Sequence, residues 1–179
     1  MMLKNPSRLE VMKLLSLLLL VAMVACAPSA SRLNTDGLSS ATVIRNFKPD
    51  KGESAPYPVG QQVSFSYNLE RAGFVTLVAF DDNGRTYDIE RSVATKAGLQ
   101  TLPRADDVTG TGGKAAYIVD PPVGPQRVFL IYTDRAALTG TRISGKFAAA
   151  DLPKTIKAYI TATGSSVYDV AETRFEVVK

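Results

Sequence analysis

The stretch "QQVSFSYNLERAGFVTLVAFDDNGRTYDIE", Gln61 to Glu90, carries the pattern that decides the fold. Val63, Phe65, Tyr67 and Leu69 alternate with Gln62, Ser64, Ser66 and Asn68. Successive side chains of a strand point to opposite faces, so this spacing predicts a strand with one face in a core. "GFVTLVAF", Gly73 to Phe80, is apolar on both faces and reads as a central strand. "DDNG" breaks it and "RTYDIE" resumes, which predicts a hairpin about Asn83-Gly84, where a tight turn needs positive φ.

The same signals continue outward. "ATVIRNF" begins at Ala41 with β-branched residues, and the link "KPDKGESAPYPVG" separates it from the next strand. "AAYIVD" and "QRVFLIYT" flank "PPVGP", whose prolines exclude both helix and ladder. The terminal "TRFEVV" sets Phe175 and Val177 against Arg174 and Glu176. One segment is helical in pattern: "DLPKTIKAYITA", with Asp151 as N-cap and Leu152, Ile156, Tyr159 and Ile160 along one side. About seven short strands separated by turns predict an all-β fold. The expectation is an antiparallel β-sandwich, immunoglobulin-like, with at most one short helix near 151–162.

Ahead of this domain lies a different composition. Lys4, Arg8 and Lys13 precede an uncharged apolar run, Leu14 to Val24, followed by small residues. A basic region, a short apolar region and small residues describe a secretory signal. The run falls well short of the roughly twenty residues a membrane-spanning helix needs. Met23-Val24-Ala25-Cys26 resembles a bacterial lipobox, in which the cysteine receives diacylglycerol and becomes the new N-terminus. Cys26 is the only cysteine in the chain and falls where that acylation requires it. The resemblance implies removal of residues 1–25 and a lipid anchor on Cys26. Each buried methylene adds about 0.8 kcal/mol of membrane affinity, so two or more chains hold firmly. The alternative is an ordinary secretory signal cut near Ala25 or Ala27. Residues 26–40, "CAPSASRLNTDGLSS", lack hydrophobic period and read as a lipidated flexible tether. Its root-mean-square reach is roughly 20 Å. Residues 41–179 form the single expected domain.

Composition narrows the chemistry. Lys4, Arg8, Lys13 and Glu10 precede the cysteine, so the formal charge beyond it falls from +4 to +2. The charges are interspersed, without the basic stripe of a nucleic-acid binder, and no nucleic-acid partner is expected. There is no histidine. The usual general base and commonest metal ligand are therefore missing, and Ser-His-Asp, Cys-His and Cys/His zinc arrangements cannot form within the chain. No enzymatic activity and no cofactor are expected.

Several quoted elements, taken in order, resemble the bacterial domain-of-unknown-function family 4384 across residues 57 to 135. Tyr57, Gly60, Val63 and Phe65 match its first strand opening, and Gly73, Phe74, Asn83 and Gly84 its strand and turn. Leu102-Pro103 and Pro122-Val123-Gly124 match the later turns. The resemblance implies an exported or envelope-associated β-domain, an accessory to something larger, and supplies no catalytic residues.

Three segments offer sites. "GTGGKAA", Gly110 to Ala116, suggests a phosphate loop, but Val108 and Ala115 stand where glycine and Ser/Thr belong. In "AFDDNGRTYDIE", Asp81, Asn83, Gly84 and Glu90 take calcium-loop positions while Ala79 occupies the first ligand position. A hairpin turn accounts for these residues, with weak calcium binding by Asp81, Asp82 and Asp88 as the other reading. The glycine-rich loop from Pro103 to Lys114 is the candidate partner contact through Asp106, Asp107, Thr109 and Lys114.

The expected role is a cell-envelope lipoprotein, anchored in a bacterial envelope membrane, with the outer membrane expected. It would act as a non-enzymatic accessory or structural subunit of a surface-layer or outer-membrane assembly. The alternative is a module that binds a cell-wall glycan or small ligand, which would require exposed tyrosines among Tyr57, Tyr87, Tyr117, Tyr132, Tyr159 and Tyr168.

Overall fold

The computed structural model describes residues 37–179. Cys26, the signal and most of the tether lie outside them. The described residues form a β-sandwich. One sheet has three strands in the order β1-β4-β7, where β1 is Ile44–Pro49, β4 Phe65–Leu69 and β7 Gly98–Leu102. The other has six in the order β10-β6-β5-β9-β11-β2. Its strands are β2 (Pro56–Pro58), β5 (Gly73–Phe80), β6 (Arg85–Thr95), β9 (Gly124–Thr133), β10 (Gly145–Lys146) and β11 (Tyr168–Val178). A two-stranded ribbon joins β3 (Gln62–Val63) to β8 (Tyr117–Ile118). Every pairing is antiparallel except β11 with β2, which is parallel. These orders establish a sandwich without selecting its immunoglobulin-like variant.

Period-two patterning explains the layers. Val63, Phe65, Tyr67 and Leu69 are buried as their alternation requires. They meet Val75 and Leu77 of β5, Val128, Leu130 and Tyr132 of β9, and Phe175 and Val177 of β11 in the core between the sheets. The opposite-parity residues Val78, Phe80, Phe129, Ile131 and Val170 form a second core on the outer face of the large sheet. Helix α1, Leu152–Thr163, covers that face with Leu152, Ile156, Tyr159 and Ile160. The Tyr159 hydroxyl shares a buried 2.7 Å hydrogen bond with Thr76, the one polar side chain β5 turns toward the helix.

The expected hairpin forms about Gly84 (φ 78°), whose amide donates to the Asp81 carbonyl at 3.0 Å. A Cβ there would sit 2.5 Å from the Phe147 carbonyl oxygen, so glycine is required by space and by dihedral alike. The strands flanking "PPVGP" separate instead of pairing. β8 goes to β3, and β9 enters the large sheet between β5 and β11. Asp151 occupies the N-cap position, but its side chain makes no capping bond. A 3₁₀ turn, Ala149–Asp151, leads into the helix instead, and Pro153 in the first turn has no N–H to be capped.

The packed domain also begins earlier than residue 41. Leu38 is buried in the helix-side core, and the Ser39 hydroxyl donates to Asp169 Oδ1 at 2.6 Å. Asp169 Oδ2 accepts from the Val43 and Ile44 amides at 2.7 and 2.8 Å. One buried carboxylate thus ties the start of β1 to β11, so residues 38–40 belong to the domain and not to the tether.

Truncating Ile156 to alanine removes a fully buried side chain from the helix-side core. It is expected to cost about 2–5 kcal/mol, read as a lower midpoint in urea unfolding.

Candidate functional site

One end of the sandwich is built differently from the rest. There the β3–β8 ribbon crosses between segments of both sheets, held by few hydrogen bonds. The Gly60 amide donates to the Val119 carbonyl at 2.8 Å, and the Val119 amide to the Gln61 carbonyl at 2.9 Å. Cavities of about 440 and 470 Å³ adjoin the ribbon, and Val63 and Ala116 line both. Both volumes fall within the usual range of small-molecule sites.

The larger cavity has a floor of core residues, Val63, Phe65, Val119, Phe175 and Val177. Ala79 of β5 and Tyr87 and Ile89 of β6 form one wall. Tyr117, Ile118, Pro121 and Pro122 form the other. Both phenols are committed inside the chain. Tyr117 donates to Glu90 Oε1 at 2.8 Å and Tyr87 to Asp81 Oδ2 at 3.1 Å. Burial pushes the Tyr117 phenol upward, and the hydrogen bond and charge of Glu90 push it further, so it stays a neutral donor. Gln126 and Asp120 supply the remaining polar lining.

The smaller cavity is more polar, bounded by Asp50, Gln62, Ser64, Thr101 and Lys114. Here the 103–114 loop enters. It folds into a small hairpin with a bridge between Val108 and Lys114. Thr109 holds its tip, donating through its amide to the Gly113 carbonyl at 2.7 Å and accepting the Gly113 amide on Oγ1 at 3.0 Å. Arg104 pairs with Asp107 at 2.7 Å and holds that carboxyl below the usual aspartate range. Of the four expected contact residues, Lys114 therefore reaches a cavity, Asp107 and Thr109 serve the loop itself, and Asp106 is exposed.

The three carboxylates of the weak calcium reading stand in separate surroundings. Asp81 Oδ1 accepts the Asn83 and Arg85 amides, both at 2.9 Å, and its Oδ2 takes the Tyr87 hydroxyl. Asp81 is thus the cap of its own turn. Asp82 is exposed, with its carboxylate beside Gly124, and Asp88 accepts the Ile143 amide at 3.3 Å. The three carboxylates are not brought together. Among the described residues no group of three or more acidic, cysteine or histidine side chains is arranged to hold a metal ion.

A second polar group lies toward the helix. β6 is irregular between Asp88 and Val93, where its register with β5 shifts twice, and Ser92 takes φ 51°. This turns the Ser92 amide to Thr76 Oγ1 at 2.9 Å and lets Ser92 Oγ accept the Ala137 amide at 2.8 Å. Asp88 Oδ2 and Arg91 Nη1 are buried, and neither makes a hydrogen bond among the described residues. Burial raises the Asp88 carboxyl above its ordinary value, against the opposing Ile143 amide and the Arg91 and Arg142 charges.

Among the described residues no helix is long and apolar enough to cross a membrane. No known protein family, curated protein or solved structure matches the chain. The family resemblance across residues 57 to 135 accordingly rests on the residues quoted for it.

The sequence reading missed the larger cavity. Its signal was present in the rigid "PPVGP" beside a lone apolar "YIV", but both also suit an ordinary strand connection.

Two outcomes follow. Asp88 binds its proton more tightly folded than unfolded, so stability falls as pH rises from the ordinary aspartate value through the raised one. Asp88→Asn is expected to remove that fall and to match or exceed the parent above this window, checked by urea midpoints across pH. Millimolar calcium is expected to leave the thermal midpoint unchanged in scanning fluorimetry.

Proposed function

We propose that this protein is a cell-envelope lipoprotein, held by an acylated Cys26, that acts as a non-enzymatic accessory subunit of a surface or outer-membrane assembly. One observation carries the contact part of this reading. Four of the large apolar side chains left exposed, Val59, Tyr87, Ile118 and Val123, belong to the segments that build the ribbon end. Exposed apolar residues gathered at one place mark an interaction surface, whereas scattered ones do not.

The sheet edges point the same way. β10 contributes two residues and β2 reads Pro-Tyr-Pro, so both ends of the large sheet are blunt. β7 offers a freer edge, with Leu99 76% exposed, and it leads directly into the 103–114 loop. Strand addition by a partner would therefore enter beside the polar cavity.

The second reading, a module for a glycan or small ligand, draws support from Tyr87 and Tyr117 in one cavity. Tyr57, Tyr67, Tyr132 and Tyr159 are core residues, and Tyr168 lies elsewhere, beneath Lys157. The tyrosines thus offer two walls of a cavity and not the flat platform a sugar surface prefers. This weighs toward a small ligand and away from a glycan.

The test is mass spectrometry on protein released gently from native membranes after cross-linking. The expected result is a diacylated Cys26 as N-terminus and cross-links from residues 116–123 to one stoichiometric envelope protein. Ile118→Asp is expected to remove those cross-links while changing stability by no more than about 0.5 kcal/mol. An unmodified N-terminus, or a protein that migrates alone, would overturn the reading.

A further inference from the structure

We infer that the 470 Å³ cavity behind Tyr117 is a binding site for a small amphiphile with an alkyl or aryl body and a hydrogen-donating, neutral or cationic head. The inference deepens the small-ligand reading above and rests on the cavity alone, independently of any partner at its rim.

The body follows from the floor. Phe65, Val119, Phe175, Val63 and Val177 are each less than a tenth exposed, yet all line the cavity, so it opens directly onto the main core. A ligand seated there exchanges water for aromatic and branched aliphatic surface, worth roughly 25 cal/mol per Å² of apolar area covered. The tyrosine rings add apolar walls and not hydroxyl donors, because both phenols already serve Glu90 and Asp81. A sugar ring would leave most of its hydroxyls unpaired against such a surface, which costs more than the contact returns.

The head follows from the polar lining. Pro121 and Pro122 have no N–H to offer. Gln126, only 7% exposed, directs its side-chain N–H toward the Pro122 carbonyl at 3.4 Å, which leaves its own carbonyl oxygen as an acceptor. Asp120 adds a carboxylate, and it is the sole charged residue among those lining the cavity. A site rich in acceptors, poor in donors and negative at the rim takes an alcohol or an amine and rejects a carboxylate or sulfonate. The neighbouring cavity, which carries Lys114 together with Asp50, lacks that selectivity.

The experiment uses the full chain as Cys26→Ser, with every variant in that background so that the apolar leader contributes equally. The probe is phenylnaphthylamine, a neutral arylamine that brightens in apolar surroundings. Saturable binding is expected, displaced by decanol and decylamine and about tenfold less well by decanoate. Ala116→Trp at the mouth and Ala79→Leu in the wall should each weaken the probe by about tenfold, and Leu138→Ser, on an exposed residue outside the cavity, should not. Asp120→Asn should narrow the gap between decylamine and decanoate while leaving decanol unchanged. Non-saturable binding, insensitivity to both cavity variants, or equal displacement by amine and carboxylate would overturn the site. The surface variant Ala116→Trp keeps the test decisive if Ala79→Leu fails to fold. Because the partner reading is tested by cross-linking in membranes, either idea can fail while the other stands.

Discussion

The structure depends on strands β5 and β9 being buried on both faces. Val75, Leu77, Val128, Leu130 and Tyr132 face the small sheet, while Val78, Phe80, Phe129 and Ile131 face the helix. A strand with apolar residues of both parities cannot lie on a solvated sheet, so it demands a layer on each side. The three-stranded sheet satisfies one demand and α1 the other. Burial on this scale, and not any single polar contact, is what orders the elements around the central pair.

Polar contacts then set the register of the pieces that the cores leave loose. Asp169 collects the amides of Val43 and Ile44 and the hydroxyl of Ser39, locking the first strand to the last. Glu172 of β11 accepts from Arg127 of β9 and from Arg174 of its own strand, both at 2.9 Å, with the Arg127 guanidinium over the Phe80 and Phe129 rings. These charges occupy the helix-facing side of the large sheet, so the same face is apolar under α1 and ionic elsewhere. At the ribbon end, beyond these clamps, the edge of the main core is left open and cavities adjoin it. The location of the candidate site is therefore a consequence of where the layers stop.

Much of the fold was legible residue by residue. The Val63–Leu69 alternation, the Asn83-Gly84 turn and the Leu152, Ile156, Tyr159, Ile160 face all report short-range geometry, a period of two, a positive φ or a period of 3.6. The candidate site was less legible. Tyr117 and Tyr87 are thirty residues apart in sequence and meet only because β6 and the ribbon converge. Asp81, Asp82 and Asp88 show the converse, neighbours in sequence that the fold sets in separate surroundings. Proximity along the chain suggested a shared ion, but the turn spends Asp81 on its own amides and the pleat carries Asp88 away.

The sequence by itself determined the all-β class, the single helix, the hairpin and the missing histidine chemistry, because each is a property of composition or of neighbours along the chain. Tertiary structure alone decided that β8 leaves β9 for β3, that β2 joins β11 in parallel, and that residues 38–40 pack with the domain. It also decided that core side chains would line an open cavity. Those outcomes depend on how two sheets and a helix divide a shared apolar surface. That competition is settled between segments far apart in the chain, and no local pattern records it.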